Sequence, residues 1–171
     1  NLVTLKFQGG KIVMEDFSAG HITDEEAKKV ILDLNREMAN NEMRFYPGVS
    51  YRHLMVLRNG AAKFSNLEKQ EITPPHDIIG REISTFLPKV SGSSKGGGGE
   101  ILSLMKGSQR LLKDHPVNVA REAKGLRPAN STWLWGQGRS PRMITLKERF
   151  GIKGYVISAV HLLKGIGILA G

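Results

Sequence analysis

Leu2-Val-Thr-Leu-Lys-Phe-Gln-Gly-Gly-Lys-Ile-Val-Met-Glu15, followed shortly by Thr23-Asp-Glu-Glu26, is the stretch from which the fold is read. Two β-prone runs flank Gly9-Gly10, a dipeptide that can take the positive φ angles of a two-residue hairpin turn. Thr23 and Glu26 then have the spacing of a capping box, in which each side chain satisfies the other residue's backbone N–H. Behind them Ala27, Val30, Ile31, Leu34 and Met38 recur at helical spacing and make one apolar stripe, so a helix is expected to run to about Asn40-Asn41. A second strand pair is predicted at Met43–Tyr46 and Tyr51–Arg58, joined at Pro47-Gly48. Hairpins alternating with a packed helix indicate an α+β domain with an antiparallel sheet.

Further along, residues 59 to 72 read as an edge strand or a variable loop. Thr73-Pro-Pro-His-Asp77 is stiff, because each proline fixes its own φ and restricts the residue before it. Val90 to Gly99 has the composition of a flexible loop. Its four glycines follow Lys95 and no Gly-Lys-Ser/Thr ending comes after them, which excludes a P-loop. A helix is expected from about Glu100, burying Ile101, Leu104, Met105 and Leu112 and interrupted at His115-Pro116. Val117–Lys124 continues it, with Gly125 as the stop. Gly154-Tyr-Val-Ile-Ser-Ala-Val160 reads as a strand buried on both faces of a parallel sheet, with residues 161 to 171 as the loop and helix start after it. No other strand–helix unit precedes that strand to supply its neighbours, the first strand begins at residue 2, and residue 1 is not Met. The organisation expected is therefore an internal piece of a larger α/β protein. Residues 1–150 would form an inserted α+β subdomain, and residues 151–171 a returning strand and helix start of the core.

The 171 residues are 40% apolar, enough for one core. With no cysteine, disulfides and thiolate metal sites are excluded. No apolar run reaches the length of a membrane span and no secretory signal opens the chain, so a cytoplasmic protein without a membrane partner is expected. The net charge is +9, yet lysines and arginines are spread along the chain. Aromatic residues make up 6% and lack the spacing of a stacking platform, so generic anion affinity is expected rather than nucleic-acid reading.

Chemistry concentrates in two places. Arg44-Phe-Tyr-Pro-Gly-Val-Ser-Tyr-Arg52-His53-Leu54, read with Thr73–Asp77, brings arginines and histidines next to loop-fixing residues, and the guanidinium is well shaped to grip carboxylate or phosphate. Asn130-Ser-Thr-Trp133-Leu-Trp135-Gly-Gln137-Gly138 holds both tryptophans of the chain. Strand alternation places Arg52 and His53 on opposite faces, so that one can serve a site and the other structure, with Arg52 favoured for anion contact. His115 and His161 are read as structural.

Together these segments carry a resemblance. Ser18-Ala-Gly-His-Ile22, Arg44–Leu54, Thr73–Asp77, His115-Pro-Val-Asn118, Pro128-Ala-Asn-Ser131, Trp133–Gly138 and Val156–Val160 with Leu163-Lys-Gly-Ile-Gly167 are similar, in the same order, to motifs of the archaeal-type cofactor-independent phosphoglycerate mutases of the alkaline-phosphatase superfamily. The resemblance implies that the complete protein interconverts 2-phosphoglycerate and 3-phosphoglycerate through a phosphoserine, activated by divalent metal ions of the Mn/Mg/Zn type. It implies that this chain is the inserted substrate-gripping domain plus the first strand and helix start of the returning core. Its partners would be a small phosphorylated acid and the core segments of the same polypeptide. Carried over by motif, the substrate-binding residues would be Arg52, His53, His21, His76, Asp77, Trp135 and Gln137, with Lys164 beyond the core strand. His161 departs from the family, which more often has an acidic residue there. The chain holds neither the spacing of a two-metal site nor the family's nucleophile motif, so no catalytic residue and no metal ligand is expected within it. Two other readings stand beside this one: a homoserine kinase-like member of the same family, and a non-catalytic module for anions or nucleic acid.

Overall fold

The computed structural model describes residues 1–58, 64, 67, 70–89 and 97–171. They form two compact units, Asn1–Gln137 and Gly138–Gly171. In the first unit β1 (Leu2–Gln8) and β2 (Lys11–Asp16) form the expected hairpin, with Leu5 opposite Met14 and Phe7 opposite Ile12. Gly9 and Gly10 lie at φ 57° and 75°, left-handed values that the tight turn requires and most residues avoid. Helix α1 (Asp24–Met38) starts at the Thr23–Glu26 capping box and buries Ala27, Val30, Ile31 and Leu34. Strands β3 (Met43–Tyr46) and β4 (Leu54–Leu57) pair antiparallel as a separate two-stranded sheet. The remaining elements of this unit are α2 (Gly98–Leu112), α3 (Pro116–Ala123) and β5 (Ser131–Thr132).

β5 adds to the free edge of β1, giving the strand order β2-β1-β5. The central strand therefore has no wet face at its start: Leu2, Val3, Thr4 and Leu5 are all buried. Alternation sends Leu2 into one core, with Ile22, the α1 stripe, Met43, Phe45, Tyr51 and Leu112. Val3 and Leu5 point into a second, with Met14, Ile78, Ile83, Ile101, Met105 and Trp133. Two asparagines finish edges that strands leave open. Asn130 pairs its amide with both the N–H and the C=O of Leu5, each at 2.7 Å. Asn35 accepts from Phe45 N at 2.8 Å and donates to the same residue's carbonyl. An amide side chain carries the same donor and acceptor as a peptide, so it can stand in for a missing strand neighbour.

Helix α3 ends as expected. Gly125 at φ 70° lets Gly125 N and Leu126 N return to Glu122 and Arg121 carbonyls, a Schellman closure. His115 plays the structural role expected of it: Nδ1 accepts from Val117 N at the start of α3, and Nε2 meets Asp33 on α1 at 3.0 Å.

Three expectations are corrected. β4 begins at Leu54 rather than Tyr51, because Ser50 takes φ 51° and Arg52 N closes a turn onto Val49 O, which keeps residues 49–53 out of the sheet. α2 opens at Gly98, inside the glycine run; the rest of the expected loop, residues 90–96, lies outside the described residues, as do 59–63, 65–66 and 68–69 of the expected edge strand or loop. The third lies in the second unit, where no strand forms over Gly154–Val160. A parallel strand exists only through hydrogen bonds to neighbours, and none pairs with this run among the described residues; Tyr155 and Ile157 are almost wholly exposed.

That second unit consists of α4 (Leu146–Phe150), started by a Thr145–Glu148 capping box, and α5 (His161–Leu169). Leu146 N bonds to Ala170 O, and Val156 packs so closely on Gly167 that a Cβ there would come within 2.5 Å of it. Among the described residues no helix is long and apolar enough to cross a membrane. Substituting Thr23→Ala removes half of the α1 capping box and is expected to lower stability by about 1 kcal/mol, measured as a lower urea midpoint at unchanged slope.

Candidate functional site

Between β2 and α1 the chain makes a tight loop in which Ala19, Gly20 and His21 all have positive φ, at 49°, 62° and 51°. For Ala and His this conformation costs roughly 1–2 kcal/mol each, so something must hold it. Asp16 holds it from one side. Its carboxylate accepts from Ser18 N and Ser18 Oγ at 2.7 and 2.6 Å, from Gly20 N at 3.1 Å and from Arg127 Nη1 at 2.8 Å. Arg121 holds it from the other, donating to Ala19 O at 2.7 Å, to Arg127 O at 2.9 Å and to Glu26 at 2.6 Å while itself buried. Burial works to raise both carboxyls. For Asp16 the Ser18, Arg127 and Gly20 donors outweigh it, and for Glu26 the Thr23 and Arg121 donors do, so both stay below the ordinary carboxylate range.

The loop carries Phe17 and His21 against Tyr51. The Tyr51 ring meets Phe17 edge-on at 5.4 Å and His21 at 6.2 Å, and Phe17 meets His76 at 6.1 Å. His76 in turn meets Trp135 at 5.5 Å. Five rings thus form one chain of edge-to-face contacts, a geometry favoured by the aromatic quadrupole. Arg52 joins it at Tyr51, with its guanidinium carbon 4.2 Å from the Tyr51 ring centroid and Nη2 donating to the Tyr51 hydroxyl. His76 sits on the short 3-10 turn Pro75–Ile78, with Asp77 Oδ1 3.6 Å from its Nε2. Trp135 is held by its indole N–H on Asn1 Oδ1.

Of the eight residues expected at a site, the structure therefore brings five together: Arg52, His21, His76, Asp77 and Trp135. Gln137 is occupied instead with the Gln70 main-chain carbonyl. Lys164 stands on α5 in the second unit, within a helix rather than beyond a strand. His53 turns inward. Its Nδ1 accepts from Gly48 N at 3.0 Å, while its Nε2 is buried with no partner among the described residues. It lines a small cavity with Asn1, Leu2, Ile31, Phe45, Leu54, Met55, Thr132 and Leu134, to which none of the other seven contributes. Burial above all pushes the imidazole down to about 3, so it is neutral across the physiological range.

Sequence reasoning missed the residues that build this arrangement: Asp16, Phe17, Arg121 and Arg127, with Tyr51 quoted only as part of a motif. Arg121 and Asn118 are the buried residues of α3, a polar inner face that hydrophobic periodicity does not reveal. The implied divalent metals fail a fit test here, since among the described residues no three His, Asp or Glu side chains converge on a common point. The cluster can do something simpler: present a guanidinium and two imidazoles, ordered by stiff rings, to an anion.

The chain belongs to the 2,3-bisphosphoglycerate-independent phosphoglycerate mutase family, whose sequence profile it matches over residues 1–118. Along its whole length it is 46% identical to a probable mutase of this name from Geobacter sulfurreducens and 46% identical to one from Methanosarcina acetivorans, spanning 40% of each. In three dimensions it is similar to the cofactor-independent phosphoglycerate mutase of Thermoplasma acidophilum, with a TM-score of 0.59 and 22% identity, covering 99% of this chain and 43% of that one. The chain therefore spans less than half the length of the relatives it matches.

The inward histidine makes a pH prediction. In the unfolded chain His53 titrates near 6.5 and in the folded chain near 3, so between these values the unfolded state binds the extra proton. Stability is then undiminished above pH 6.5 and falls on acidification, by at most about 1.4 kcal/mol per pH unit. Urea unfolding followed from pH 7 to 4 should show this loss, and His53→Asn should flatten it.

Proposed function

We propose that this chain is the substrate-gripping part of a phosphoglycerate mutase, holding 2- or 3-phosphoglycerate with Arg52, His21 and His76. The observation that carries the reading is the ordered ring chain from His21 through Tyr51, Phe17 and His76 to Trp135, with the Arg52 guanidinium stacked on Tyr51. The substrate has two anionic ends, a phosphate and a carboxylate. Arg52 offers a planar, permanently charged fork, of which one nitrogen is engaged by the Tyr51 hydroxyl and the remaining edge can grip one of those ends. His21 and His76 offer ring N–H donors at other points along the ridge, and Asp77 steers the His76 ring. Trp135 provides a stiff wall, with Gln137 and Lys164 as further contacts once the rest of the polypeptide is in place.

Why such a grip is needed follows from the reaction. Moving a phosphoryl group between neighbouring hydroxyls requires the glycerate to be held while it reorients, so that the phosphate-free intermediate does not escape. In this reading residues 1–150 act as the inserted lid, and residues 151–171 return to a core resembling alkaline phosphatase. The phosphorylated serine and the divalent metal ions belong to that core, on polypeptide beyond this chain. The run 154–160, exposed here, would become a strand only when the core supplies its neighbours. Relatives named as mutases support this over a homoserine kinase or a nucleic-acid module.

Two measurements test it. In the complete polypeptide, Arg52→Ala should lower kcat/KM for 3-phosphoglycerate by on the order of 100-fold, the scale of losing one charge-assisted bidentate contact, with an unchanged melting temperature. An unaltered kcat/KM would refute the grip. The 171-residue chain by itself should show no isomerisation of phosphoglycerate, with or without added divalent metal; measurable turnover would place the chemistry within it and overturn the division proposed here.

A further inference from the structure

We infer that His53 is a positioning residue: through Nδ1 it ties the turn Pro47–His53 into the shape that presents Arg52, and it does not itself touch the substrate. The inference rests on the reading of Arg52 as the anion grip. Gly48 N donates to His53 Nδ1 at 3.0 Å and Arg52 N donates to Val49 O at 3.0 Å, so a side-chain bond spanning residues 48–53 encloses the main-chain turn 49–52. Ser50, at the apex with φ 51°, is fixed to α1 by Asp24 Oδ1 at 2.6 Å and to Ile22 O at 2.7 Å. Tyr51 O accepts from Leu2 N, which fastens the far side of the turn to the central strand. Arg52 is the exposed residue between the fixed Tyr51 and the inward His53, so its Cα is held on both sides.

An imidazole that accepts at Nδ1 must carry its proton on Nε2 when neutral. His53 lines a small, mostly apolar cavity, and that Nε2–H is buried without a partner among the described residues, which a residue present only for packing would avoid. A leucine would fill the same space with no unsatisfied donor. What the imidazole supplies and an aliphatic side chain cannot is the acceptor for Gly48 N. The ionisable side chain that faces it is Asp24, the Ser50 main chain also lies against the ring, and Gly48 N is the donor that Nδ1 accepts.

The experiment is a cycle of variants in the complete polypeptide, read as kcat, KM and melting temperature with 3-phosphoglycerate. His53→Leu, which has no acceptor, should raise KM and lower kcat/KM by on the order of 10- to 100-fold through displacement of Arg52. His53→Asn, whose Oδ1 can take over the Nδ1 position, should restore most of that loss. In an Arg52→Ala background His53→Leu should cost almost nothing more, because the group it positions has gone. If the two losses instead add in full, His53 acts independently of Arg52 and the positioning role is overturned. If Arg52→Ala alone is silent, the site reading fails and the inference fails with it, an outcome distinct from additivity. Should His53→Leu fail to fold, long-range proton–nitrogen NMR of the unsubstituted protein still decides. An unprotonated Nδ1 coupled to the Gly48 amide is expected, and a proton on Nδ1 would refute the bond on which everything here depends.

Discussion

Three successive left-handed residues, Ala19-Gly20-His21, are the conformational expense around which the first unit is organised. They survive because a carboxylate and a guanidinium clamp them from opposite sides: Asp16 takes up the loop's N–H groups and Arg121 its carbonyls. The same two side chains continue outward to Arg127 and Glu26, so β2, the start of α1, α3 and the segment after α3 share one network. Arg121 and Asp16 are its buried members while Glu26 and Arg127 reach solvent, so losing one of the buried pair leaves backbone groups of the loop desolvated and unpaired. What it secures is local: the directions of Phe17 and His21.

From there the site is a matter of ring contact. Phe17 and Tyr51 carry no charge that could meet an anion, yet they set the spacing between Arg52, His21, His76 and Trp135. Stacked rings have few rotatable bonds, so cations and imidazoles resting on them lose little further freedom when a ligand arrives. Arg52 is the extreme case. Its backbone is bracketed by a closed turn and its guanidinium lies on Tyr51, although the residue is exposed to solvent. Preorganisation without burial would suit the anion grip proposed for Arg52.

How much of this was legible beforehand varied with the range of the interactions involved. The β1–β2 hairpin, the capping box of α1 and the glycine closure of α3 came out as read, because each is written in residues at most a few positions apart. The strand drawn from Tyr51 was too long: its alternation looked sound, and only contacts with Asp24, Ile22 and Leu2 pull Ser50 and its neighbours out of line. Arg52 and His53 do diverge, one outward and one inward, but a turn separates them rather than a pleat. At the other end, Gly154–Val160 has every local mark of a strand and is none here, since a strand is a property of its neighbours as much as of itself.

By itself, then, the sequence decided the local pieces and the identity of the polar residues: which segments coil, which pair across a two-residue turn, and that arginine, histidine and tryptophan gather in a few loops. These follow from backbone preferences and side-chain periodicity, which act over a turn or two. Tertiary structure alone decided that His21, His76 and Trp135 share one ridge with Arg52 while His53 faces inward, and that a buried arginine on α3 props the loop beneath them. The reason is that those distances are set by packing between residues some 30 to more than 100 positions apart, and no preference of a single residue carries information about such a partner.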